Sequence, residues 1–233
     1  MSMTALTRRI LGMSAAFALS FSAIEAAQAE SFSARGNEPG WHLEMTEKAI
    51  TFRTQEGETL SVEPVPAAQE TEAGRTYSAV AGGKPFTLTV ADRICADTMA
   101  DMPFPKTVSL VVGERTLSGC GGDPASLLHG DWKVDAIGGK APVEKSEPTL
   151  AFAPDGSMHG NGSCNRFFGG FTLSGEGLKL SQVGASMMLC DQPLMDQEHA
   201  LLAAFGDVTH FDAVSPTQIR LMGASGVLVS LRK

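Results

Sequence analysis

The chain has 233 residues, a formal net charge of −8 and no basic run, so nucleic acid and anionic lipid headgroups are poor partners for it. A hydrophobic content of 43% is ordinary for a globular chain, and the length allows one large or two small domains. Four cysteines, an even number, suggest disulfides if the chain is exported.

Residues 1–29 read as a secretory signal peptide. Arg8 and Arg9 precede an apolar run from Ile10 to Ile24, and Ala27-Gln28-Ala29 supplies a small-x-small cleavage pattern. The run is shorter than the ~20 residues of a membrane span. Cleavage is expected after Ala29, which removes Arg8, Arg9 and Glu25 and leaves −9. Thr7-Arg8-Arg9 leaves open a twin-arginine signal beside the ordinary one. No later stretch is apolar enough to span a bilayer as a helix, so the mature protein is expected in the periplasm.

Residues 30–124 read as a first, β-rich domain. Ala34-Arg35-Gly36-Asn37-Glu38-Pro39-Gly40-Trp41 opens it with turn formers and a large anchor. Alternation then runs through Ile50 and Phe52, Leu60 and Val62, Phe86, Leu88 and Val90, and Val108, Leu110 and Val112, as in half-buried antiparallel strands. A turn is expected near Cys95 to Met102. Cys95, Asp97 and Asp101 could be read as metal ligands, but no second ligand pair accompanies them. The opening, together with Cys95-Ala96-Asp97-Thr98-Met99 and Gly119-Cys120-Gly121-Gly122, resembles an uncharacterised bacterial envelope and lipoprotein domain. That resemblance implies a Cys95–Cys120 bridge and no activity.

Residues 125–233 read as a second domain. Trp132, Val134 and Ala136 share a side, and Leu150 and Phe152 follow. The stretch Gly160-Asn161-Gly162-Ser163-Cys164-Asn165-Arg166-Phe167-Phe168-Gly169-Gly170 is the densest signature of the chain. Its glycines predict positive φ or close approach to another segment, and Phe167 and Phe168 supply area to hold it on a core. Asp191-Gln192-Pro193 predicts the start of one helix, with Leu194, Met195, Leu201, Leu202 and Phe205 as its apolar stripe, and Gly206 as its stop. Asp196, Gln197 and Glu198 are placed in its early turns, where the dipole favours acid. Val227, Val229 and Leu231 are expected on one face of a last strand. The fold class is therefore mainly β to α+β: two small antiparallel domains, the second with a single inserted helix.

The Gly130-x-Trp132 opening, the Gly-x-Gly-x-Cys-Asn turn, Met188-x-Cys190 and the helix with Gln197-Glu198 resemble the META domain family of HslJ-like, heat-inducible envelope proteins over about 105 residues. The resemblance implies a role in stress tolerance. Where many relatives carry arginine before Met188, this chain has Met187.

Cys164 with His159 could be a nucleophile and its base. Cys190, at a spacing from Cys164 like that of Cys120 from Cys95, favours a Cys164–Cys190 bridge instead. Asn161, Asn165, Arg166, Phe167 and Phe168 form a candidate recognition turn, against a structural reading in which Asn165 bonds its own backbone. Met187 and Met188 read as core filling. The five histidines share no ligand spacing, and no phosphate loop, nucleophile elbow or calcium loop is present. The expected function is non-enzymatic, in envelope maintenance or stress tolerance, with no catalytic residue, cofactor or metal. The alternative is a periplasmic binding module or an inhibitor of an envelope enzyme.

Overall fold

The computed structural model describes residues 31–97 and 102–233. The expected signal peptide and Asp101 lie outside the described residues.

Nine strands of the N-terminal part form one antiparallel sheet. β1 (Phe32–Asn37), β2 (Gly40–Met45), β3 (Ile50–Thr54) and β4 (Thr59–Val62) make a meander. β5 (Gln69–Thr71), β6 (Gly74–Ala81) and β7 (Lys84–Ala91) make a second. A short hairpin of β8 (Cys95–Asp97) and β9 (Met102–Phe104) stands apart, and β10 (Lys106–Val112) and β11 (Arg115–Gly121) complete the sheet. The order is β4-β3-β2-β1-β11-β10-β7-β6-β5. The sheet curls until β4 meets β6. At one end of this barrel-like curl Glu58 accepts hydrogen bonds from both Lys84 and Arg115, tying three turns together. Leu43, Phe52, Leu88, Val108 and Leu110 alternate inward and are fully buried, as the period-two reading expects. The turn formers of the opening motif do turn the chain, at Glu38-Pro39, with the rest of the motif already in β1 and β2, and β5 and β6 carried no legible alternation.

A single 3-10 turn, Pro124–Leu127, separates the sheets; the Asp123 side chain accepts from Ala125 N at 2.9 Å. Leu128 is buried just beyond it, and its carbonyl accepts from Trp132 Nε1 at 2.6 Å.

The C-terminal sheet has eight strands: β12 (Gly130–Ile137), β13 (Thr149–Phe152), β14 (Ser157–Asn161), β15 (Arg166–Ser174), β16 (Gly177–Ala185), β17 (His210–Ser215), β18 (Gln218–Gly223) and β19 (Gly226–Arg232). Its order is β16-β15-β14-β13-β12-β19-β18-β17, and Leu178 N donates to Thr209 O at 2.8 Å across the gap between its edges. The one α-helix among the described residues, α1 (Gln192–Gly206), covers the core with Leu201 and Phe205. The mainly β, antiparallel reading with one helix inserted in the C-terminal part thus matches the architecture. A register shift between Leu221 and Met222 turns Val227 outward, so only Val229 and Leu231 of the expected face are buried.

The β8–β9 hairpin joins the two parts. Met102 and Phe104 belong to the core of the C-terminal sheet. Asp97 binds Arg35 at 3.0 Å and Asn37 at 2.6 Å on β1, and the Arg35 guanidinium lies 4.9 Å above the Phe104 ring.

Candidate recognition surface

The glycine-rich signature is a hairpin, with Gly162 to Asn165 linking β14 and β15. Close approach explains Gly160, Gly162 and Gly169. A Cβ on Gly160 would lie 2.0 Å from Thr149 O, and one on Gly162 would meet the Glu198 side chain at 2.6 Å. Of the two alternatives, close approach and not positive φ is the one used: none of Gly160, Gly162, Gly169 and Gly170 has positive φ, and the left-handed residue is Ser163, at φ 101°. Gly162 N donates to Asn165 O at 2.8 Å, and Ser163 N donates to Asn161 Oδ1 at 2.8 Å, which closes the turn.

Asn165 is buried and its side chain is used in full. Its Nδ2 donates to Glu198 Oε1 at 2.8 Å and reaches Met188 O at 3.4 Å. Its Oδ1 accepts from Met188 N at 2.7 Å and Ser186 Oγ at 2.8 Å. Its backbone N–H donates to Glu198 Oε2 at 2.5 Å. The expectation that Asn165 bonds its own backbone is corrected: its side chain holds the helix on one side and the segment after β16 on the other. Gln197, beside Glu198, donates to Ser163 Oγ at 2.6 Å and accepts from Val143 N at 2.5 Å.

Glu198 does not sit in the first turn of α1, which holds no acid, but on the buried face four residues after Leu194 and three before Leu201. Its purpose is the Asn165 pair rather than the helix dipole. An acid in register with an apolar stripe was the sequence signal for this buried partner.

Cys164 and Cys190 are bridged, with Cα atoms 5.9 Å apart, and so are Cys95 and Cys120, with Cα atoms 5.5 Å apart. No free thiol remains for a nucleophile or for a metal site at Cys95. His159 lies exposed on β14, opposite Phe168. Among the described residues no three His, Cys, Asp or Glu side chains come together as a metal would require, and no helix is long and apolar enough to cross a membrane.

The bridge and Asn165 fix both ends of the segment 186–190, and what that segment presents is apolar. Met187 is 97% exposed, Met188 58% and Leu189 89%. The reading of Met187 and Met188 as core filling is therefore wrong: Asn165 holds the Met188 backbone, and both side chains stand in solvent. Phe168 is 66% exposed and its ring lies over Gly184 at the root of this segment, whereas Phe167 is buried with its ring 5.3 Å from that of Phe205. Of the candidate turn, Asn161, Asn165 and Phe167 build the scaffold, and Arg166 and Phe168 face outward.

The sequence model of the META domain family matches residues 125–233. This half of the chain is a META domain. Two solved structures align with about half of the chain. An NMR structure of a protein from Burkholderia xenovorans is 22% identical, with a TM-score of 0.39, and covers 47% of this chain and 87% of its own. A second NMR structure is 21% identical, with a TM-score of 0.39, covering 48% and 94%. No curated protein matches the chain. Within the META domain, the Gly-x-Gly-x-Cys-Asn turn, the Met188-x-Cys190 segment and the Gln197-Glu198 pair are now seen to be one object. They are far apart in sequence and meet through Asn165 and the disulfide.

Proposed function

We propose that this is an exported, non-enzymatic META-domain protein of the periplasm, acting in envelope maintenance or stress tolerance as a binding module. The observation that carries the reading is the held apolar segment: Met187, Met188 and Leu189 stand in solvent on a backbone fixed by a disulfide and a buried amide. Folding normally buries such side chains, and an exposed apolar cluster on an ordered frame marks an interaction site. Fixing the frame beforehand lowers the entropy cost of binding. Two disulfides suit an oxidising, exported setting. With every cysteine oxidised, a thiol-dependent reaction loses its nucleophile. An inhibitor that offers this segment to an envelope enzyme is the variant of this reading in which the partner is a catalyst.

The test is complementation. A strain lacking the gene is exposed to heat and detergent and supplied with either the wild-type chain or a Met187→Ser/Met188→Ser/Leu189→Ser variant. The substitutions lie on exposed side chains and are expected to leave stability within about 0.5 kcal/mol. Rescue by wild type and not by the variant supports the reading. Equal rescue by both removes the segment from the function.

A further inference from the structure

The N-terminal barrel is tied at one end by Glu58, Lys84 and Arg115 and is open at the other. There β1, β6 and β10 begin and β2 and β7 end, around a cavity of about 790 Å³. Its floor is made by Phe32, Met45, Tyr77 and Val90, half-buried side chains that pack on the barrel core with one side. This is the size, and a β-barrel mouth is the place, at which proteins hold small molecules of about 300–1,000 Å³. An apolar floor of this kind stabilises a hydrocarbon tail by roughly 25 cal/mol per Å² buried.

The rim is charged and mostly self-neutralised. Arg75 pairs with Glu70 at 3.0 Å, and Lys106 pairs with Asp92. The Asp92 carboxyl is held below its usual value by the bond from Lys106, with a smaller pull from Arg75, which sets both cations by one acid. Two charged lining residues remain without a side-chain hydrogen bond or ion pair among the described residues: Arg93, after β7, and Glu72, in the β5–β6 turn. One free cation and one free anion over an apolar floor match a head group that carries both signs.

We infer that the barrel mouth binds a single-tailed zwitterionic amphiphile of the lysophospholipid class, its tail on Phe32, Met45, Tyr77 and Val90, its phosphate at Arg93 and its ammonium toward Glu72. The site is on the other sheet from the Met187–Leu189 segment and does not depend on that segment's role.

Calorimetric titration of the full mature chain with lysophosphatidylethanolamine below its micelle concentration tests this. The expected result is one site per chain, at least tenfold weaker in Arg93→Glu and again in Val90→Glu, and weaker for laurate, which lacks the ammonium. Arg93 is exposed, so Arg93→Glu is expected to fold even if Val90→Glu does not, and near-ultraviolet dichroism checks each. No saturable binding overturns the proposal. Binding that Arg93→Glu leaves within twofold overturns it as well, because the head-group assignment then fails.

Discussion

Replacing Asn165 with alanine should be among the most damaging single changes in the META domain. The side chain makes two short neutral hydrogen bonds, accepting from Met188 N and Ser186 Oγ, and one to a carboxylate, Glu198, at 2.8 Å. Neutral bonds contribute about 1 kcal/mol each, and bonds to charged groups about 1.5–3 kcal/mol. Their sum is roughly 3.5–5 kcal/mol, and the buried Glu198 is left with one donor where it had two. Total stabilities are about 5–15 kcal/mol, so a large share should be lost. Urea unfolding followed by tryptophan fluorescence, with Trp132 in this core, measures it. Asn165→Asp should be at least as costly, because it keeps the shape, removes both Nδ2 donations and sets a second carboxylate beside Glu198. Amide exchange at Met188 should quicken in both variants. A loss below about 1 kcal/mol, or unchanged exchange at Met188, would refute the claim that this one amide fastens the segment.

Other expectations are of smaller scope. Breaking the second bridge by Cys164→Ser with Cys190→Ser frees a loop of sequence separation 26 and should cost about 3.5 kcal/mol in the chain-entropy model, read as a fall in unfolding midpoint. Gly160→Ala forces a methyl against Thr149 O and should cost about 1–3 kcal/mol, whereas Gly175→Ala, with open space around it, should cost little by the same melt. The Glu58 carboxyl lies below its usual value, first because Arg115 donates to it and then Lys84, with burial opposing. Its stabilisation is therefore complete above the unfolded value of about 4.3 and is lost as pH falls through the lower folded one. Thermal melts from pH 7 to pH 3 should show the advantage of wild type over Glu58→Gln shrinking toward the acid end, by about 0.2–1 kcal/mol.

The strands were legible wherever one face is buried and the other is wet, as in Phe86 to Val90 and Val108 to Val112. They were hidden where glycine or polar residues occupy both faces. Ser157–Asn161 pairs on both sides through its backbone, yet it carries one apolar residue, Met158, and a glycine, Gly160, that must admit Thr149 O, so no alternation marks it as a strand. The helix was legible from its stripe, but the role of Glu198 was misread, since local electrostatics favour acid near a helix start and only the tertiary partner explains an acid on the inner face. The Cys95–Cys120 bridge came from likeness to a known domain, and the Cys164–Cys190 bridge from a spacing like that of the first. The exposed Met187-Met188-Leu189 could not be foreseen: apolar residues beside a cysteine read as core, and it takes the bonds between Asn165 and the Met188 backbone, with the Cys164–Cys190 bridge, to hold them out.

The most direct measurement is light-activated crosslinking in cells from a photoreactive residue placed at Leu189, compared with the same residue at Val80 of the N-terminal sheet. Both positions are well exposed, Leu189 at 89% and Val80 at 70%. The expected result is a discrete adduct from position 189 and none from position 80. No adduct from 189, or the same adducts from both, would contradict a recognition role for the held segment.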